Sequence, residues 1–123
     1  MILVVDDDRT VRATISAALT ELGYTVREAA DGFAALELVR DRAPSLIIMD
    51  YVMPGMDGAE VAREVAAIDP ELPIIFSTGH AALRALRAAA GEEAKILEKP
   101  FTLDELDELL RERLAERRRA RTA

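Results

Sequence analysis

The chain has 123 residues with a formal net charge of −7, half its residues hydrophobic, few aromatics and no tryptophan. That length accommodates one domain with an aliphatic core, and the acidic balance argues against nucleic acid as a partner of the domain as a whole. With no cysteine, disulfides, thiolate metal sites and Cys nucleophiles are excluded.

Met1–Val5 is too short for a signal peptide and runs directly into aspartates, and no apolar run approaches membrane-spanning length, so a cytoplasmic location is expected. Ile2–Val5 reads as a buried parallel strand. From Thr10 to Leu22, apolar residues Val11, Ile15, Ala18, Leu19 and Leu22 recur at helical spacing, and Gly23 stops the helix. Tyr24–Ala29 reads as a more peripheral strand. Phe33, Leu36, Leu38 and Val39 mark a second helix that ends before Pro44, and Leu46–Met49 is an apolar strand leading into Asp50.

The turn-rich segment Met53-Pro54-Gly55-Met56-Asp57-Gly58 delivers the chain to a helix over about 59–68. Strand four is expected at Ile74–Ser77, helix four over about 81–90 and strand five over about 95–98. Thr102 and Glu105 form a capping box, and Leu103, Leu106, Leu109, Leu110 and Leu114 give the last helix a buried stripe. The Arg-rich end beyond Leu114 is expected to fray, with 121–123 as a tail to a single domain spanning 1–123. Strands alternating with helices imply a parallel sheet covered on both faces.

Ligands of such sheets gather beyond the carboxyl ends of the strands. Those ends carry Asp6-Asp7-Asp8, Asp50, Ser77-Thr78-Gly79 and Glu98-Lys99-Pro100. If strands one and three are neighbours, carboxylates converge in one cleft and resist ionising unless a cation sits among them. Carboxylates with water suit a hard cation, Mg²⁺. A carboxylate is also a nucleophile toward phosphorus, and a lysine and a hydroxyl can hold the transferred oxygens. Asp50, Lys99 and Thr78 supply these parts. The competing structural reading makes strand-end aspartates helix N-caps, and Asp8 suits that role for the first helix.

The motifs Val5-Asp6-Asp7, Met49-Asp50 with Met53 to Gly58, Thr78-Gly79 and Lys99-Pro100-Phe101 resemble those of bacterial response-regulator receiver domains along essentially the whole chain. The resemblance implies an α/β, flavodoxin-like (βα)5 doubly wound fold with strand order 2-1-3-4-5. It also implies phosphotransfer to Asp50 from a sensor histidine kinase or histidine phosphotransfer protein. Asp7 and Asp50 would ligate Mg²⁺ directly, Asp6 mainly through water, and the backbone carbonyl of Val52 would add a third protein ligand. Thr78 would be the switch hydroxyl and Lys99 the partner of the phosphoryl group. A downstream protein would dock on the helix 4–strand 5–helix 5 face, with Leu83, Leu86, Ile96 and Phe101 near it.

Two features depart from that family. Ile96 stands where an aromatic switch residue is usual, so signalling is expected to travel through the backbone of 78–83 instead. The 91–99 connection reads one residue longer than usual. His80 is either a gate near the phosphate that, with Val52, tunes dephosphorylation, or an exposed loop histidine. Tyr51 and Met53 are expected to shape the pocket rim.

An enzyme reading remains as the alternative. Asp6-x-Asp8 resembles the nucleophile motif of haloacid-dehalogenase-type phosphatases, with Asp6 as nucleophile. That chemistry needs a second acidic metal pair, which Glu98 alone does not provide. A flavodoxin-type flavin site is excluded, because three aspartates after strand one repel a phosphate. With no output domain expected after the last helix, the chain would act by docking, by shuttling or draining phosphoryl groups, or as part of a longer regulator; no substrate turnover is expected.

Overall fold

The computed structural model describes the backbone of residues 1–122 and the side chains of 1–119. Its elements run β1 (Ile2–Val5), α1 (Arg9–Glu21), β2 (Val26–Ala29), α2 (Gly32–Asp41), β3 (Leu46–Asp50) and α3 (Gly58–Ile68). Then follow β4 (Ile74–Gly79), a 3-10 turn (His80–Ala82), α4 (Leu83–Ala90), β5 (Lys95–Lys99) and α5 (Leu103–Thr122). All strand pairings are parallel, in the order β2-β1-β3-β4-β5 that the resemblance implied.

The period-2 geometry of strands sorts the core into two layers. Leu3, Val5, Ile47, Met49 and Phe76 pack with Leu36, Val39, Val61, Val65 and Leu86 on the α2–α3–α4 face. Ile2, Val4, Ile48, Ile75 and Leu97 pack with Ile15, Leu19, Leu106 and Leu110 on the α1–α5 face. The central strands are buried on both faces, which is why they read as continuous apolar runs. The peripheral strand β2 carries two exposed residues, Arg27 and Glu28.

Several boundaries differ from the sequence expectation. Tyr24 and Thr25 precede β2 rather than belong to it, because Gly23 at φ 98° turns the chain first. Helix four opens as a 3-10 turn without a side-chain cap, so regular α-helix starts only at Leu83. α5 does not fray at Leu114: Arg113 pairs with Glu116 at 2.8 Å, and Arg117 reaches Asp69 at 3.3 Å. The expectation for 121–123 concerns side chains outside the described residues. Of the four residues expected near the output face, Leu86 is fully buried in the core. Phe101 packs instead with the α1–α5 layer beside Val11. Among the described residues, no helix is long and apolar enough to cross a membrane.

Candidate functional site

The order of the sheet reverses between β1 and β3, which both leave the core at the same edge. Crevices in doubly wound sheets open at such a point. Strand alternation then decides which side chains meet there. Asp6, Asp50 and Lys99 follow Val4, Ile48 and Leu97 by two residues, so all three fall on the α1–α5 side of their strands. Carboxylate oxygens of Asp6, Asp7 and Asp50 lie within 4.8 Å of one another, a group that could hold a metal ion.

Lys99 bridges the cluster, with Nζ 3.2 Å from one oxygen of Asp6 and 3.6 Å from one of Asp50. Asp6 is 1% exposed, and burying a carboxylate requires partners for its oxygens. One oxygen takes the Lys99 ammonium; the other accepts from the Asp8 backbone N–H at 2.9 Å. Arg12 donates to the Asp6 carbonyl at 2.7 Å and pairs with Glu28, tying α1 and β2 to the same corner. Asp8 itself caps α1 by accepting from the N–H groups of Thr10 and Val11.

Burial pushes the Asp50 carboxyl above the ordinary carboxylate range. Lys99 pulls it back down, the charge on Asp6 raises it further, and the backbone N–H groups of Val52 and Tyr51 lower it by donating to the carboxylate. Asp50 is thus held where its charge is costly without an added cation. The loop behind it is tightly fitted. Asp57 and Glu60 form a reciprocal capping box at the start of α3, and Gly58 donates to the Tyr51 carbonyl at 2.7 Å. A Cβ on Gly58 would stand 2.6 Å from the Asp50 carbonyl oxygen, so only glycine lets α3 begin this close to β3.

The other candidates stand on neighbouring rows. Thr78 is buried next to the cluster's edge, on the opposite side of β4 from Ser77, and no hydrogen bond joins it to Asp50 or Lys99 among the described residues. Ile96 is level with Phe76 and half-buried against the α3–α4 layer. His80 is 90% exposed in its side chain and is held to Glu98 by a 2.8 Å contact from Nδ1. Val52 is 60% exposed, while Met53 is buried and Tyr51 half-buried around Asp50.

Sequence reasoning gave no role beside Asp50 to Ser77, and it missed two charge pairs. Ser77 is the register partner of Asp50, and its buried hydroxyl has no hydrogen-bond partner among the described residues. Its place one residue before Thr78 was the available signal. The pairs Arg12–Glu28 and His80–Glu98 were missed because their members stand 16 and 18 residues apart.

A family model of the response regulator receiver domain matches residues 2–111. The chain belongs to the response-regulator receiver family. It is 43% identical over 107 residues to the response regulator receiver protein CpdR of Brucella abortus, covering 85% of this chain and 88% of that one. It is 40% identical over 107 residues to the response regulator MprA of Mycobacterium sp. (strain KMS), covering 85% of this chain and 46% of that protein. The chain thus spans about half the length of several curated relatives it matches. Among solved structures, the receiver domain of NtrX from Brucella abortus superimposes with a TM-score of 0.87 at 33% identity, over 94% of this chain and 98% of that one. A response regulator receiver domain is a signalling domain, and the phosphatase reading is not favoured. The geometry agrees: Asp6, the nucleophile of that reading, is buried and fully engaged by Lys99 and the Asp8 N–H.

Proposed function

We propose that Asp50 accepts the phosphoryl group and that Asp7 and Asp50 ligate Mg²⁺ directly, with Asp6 acting mainly through water and the Val52 carbonyl as a further ligand. The observation that carries this reading is the convergence of three carboxylates within 4.8 Å, with Lys99 bridging Asp6 and Asp50. Of the three carboxylates, Asp6 is spent on Lys99 and a backbone N–H, whereas Asp50 carries a raised pKa at the end of β3. The donor set suits Mg²⁺, whose preferred ligands are carboxylates, carbonyls and water. When bound, the ion offsets charge on the phosphoryl oxygens.

An oxygen of Asp50 bonds to phosphorus as the P–N bond of a phosphohistidine breaks, giving an aspartyl phosphate. Lys99 then turns from the two carboxylates to a phosphoryl oxygen, a charge-assisted contact of the same kind. Thr78, one strand away and buried, offers its hydroxyl to another oxygen. The donor is a sensor kinase or a histidine phosphotransfer protein, the chain turns over no separate substrate, and the setting is cytoplasmic. A downstream protein reads the α4–β5–α5 face, where Leu83 and Ile96 are partly accessible. Ile96 has no ring to reorient, and His80, held by Glu98, is a candidate with Val52 for tuning phosphoryl lifetime.

The test is incubation with Mg²⁺ and acetyl phosphate followed by intact-mass measurement. One base-labile phosphoryl group is expected on the native chain and none on Asp50→Asn. Labelling that survives Asp50→Asn and disappears in Asp6→Asn would overturn the assignment.

A further inference from the structure

Along β4, from the first turn of α3 at Ala59 down to the start of β5, α3 and α4 fail to close over the sheet. The residues they turn toward each other include Ala59, Ala62, Ala89 and Ala90, and α4 buries only Leu86. Methyl groups on both sides are too short to meet, whereas interiors normally pack without such gaps. What remains is a groove of about 300 Å³, floored by Leu72, Ile74 and Phe76 and reaching the start of β5 at Lys95. That volume is at the lower end of the range for small-molecule sites.

Cations outnumber acids on its walls. Arg63, Lys95 and Arg113 face a single acid, Glu93, in a chain whose net charge is −7. Lys95 is engaged by Glu112 at 3.3 Å. Arg63 has no ion pair among the described residues. Arg113 spends Nη1 on Glu116, but its Nε is buried without a hydrogen-bond partner among the described residues. A buried guanidinium N–H left unpaired is costly, and such atoms in native structures usually mark a missing ligand or water. The free edge of a guanidinium is a planar fork that matches a carboxylate or phosphate in two parallel hydrogen bonds.

We propose that this α3–α4 groove binds a small organic anion: an apolar body resting on Leu72 and Phe76, with its carboxylate or phosphate taken by Arg113 and Arg63. The site does not depend on phosphorylation at Asp50. Because α4 forms one wall, occupancy and any movement of α4 are reciprocally linked.

Naphthoate, titrated into isotope-labelled full chain and followed by amide shifts, tests the proposal. Saturable shifts are expected at Ala62, Arg63, Phe76, Ala89 and Ala90, with a dissociation constant on the order of 1 mM for a ligand of this size. Naphthylmethanol, which has the body without the charge, should bind several-fold more weakly, and inorganic phosphate should give no saturable shifts there. Tighter binding of naphthyl phosphate than of naphthoate supports the same site with a phosphate head. Arg113→Gln and Arg63→Gln should each weaken naphthoate several-fold. Arg113→Lys keeps the charge but not the fork, and should weaken it also while preserving the fold. Equal binding of naphthoate and naphthylmethanol, shifts centred elsewhere, or unchanged affinity in Arg63→Gln and Arg113→Lys would each overturn it.

Discussion

The two halves of the sheet's carboxyl edge are built differently. Around β1 and β3, Asp6 is tied by Lys99 and the Asp8 N–H, Asp50 by Lys99 and two backbone N–H groups, and the loop behind them is fastened by the Gly58 N–H on the Tyr51 carbonyl. Around β4 and β5, the chain leaves the sheet through an uncapped 3-10 turn into an eight-residue helix with one buried side chain. Its polar restraints are exposed ones, the His80–Glu98 pair and an Arg87 contact to the Glu92 carbonyl at 3.0 Å. Chemistry needs fixed geometry, while a readout needs an element whose alternative positions are close in free energy. The acceptor half is rigid and charged, the reporting half loosely held.

The contrast can be broken first at the carboxylates. Mg²⁺ at about 100 times its dissociation constant should stabilise the fold by roughly 2.7 kcal/mol if the unfolded chain binds none. Asp7→Ala should abolish that shift in melting temperature, and a full Mg²⁺ response in this variant would remove Asp7 from the ligand set. Next comes the fit behind Asp50. Gly58→Ala places a methyl against backbone only 2.6 Å away and should cost about 1–3 kcal/mol in denaturant titration. The same substitution at Gly79, which has open space around it, should cost far less.

A smaller effect depends on pH. Because burial raises the Asp50 pKa in the fold, the unfolded chain gives up that proton first as pH rises above the ordinary value of 3.8. Stability therefore falls through the window between that value and the raised one, and stays lower above it. Metal-free Asp50→Asn should accordingly melt higher than the native chain at neutral pH, with the difference closing as pH approaches 3.8. Equal melting temperatures at pH 7 would contradict the burial argument. The smallest effect belongs to the reporting half: His80→Ala removes an exposed pair and should change stability by less than about 1 kcal/mol.

The rigid half was also the more legible in the sequence. Asp6, Asp7, Asp50 and Lys99 stood out because each stands at the carboxyl end of an expected strand, and a parallel sheet brings such ends together. The sheet order entered through the resemblance and was found in the structure. What sequence could not give were contacts between residues far apart. Arg117 on Asp69 keeps α5 helical past Leu114, and neither residue signals the other locally. Phe101 was expected near the output face, and its packing with α1 residues of the α1–α5 layer had no local signal. Ala81 and Ala82 were read as helix because a 3-10 turn and an α-helix share their local composition.

The direct test of a rigid acceptor driving a loose reporter is amide-shift mapping with Mg²⁺ and beryllofluoride, a mimic of the phosphoryl group on Asp50. Large shifts are expected along the Thr78–Ala90 segment and into β5, with α2 and the start of α3 little changed beyond the immediate neighbours of Asp50. Shifts confined to those neighbours, with the 78–90 segment unmoved, would contradict it.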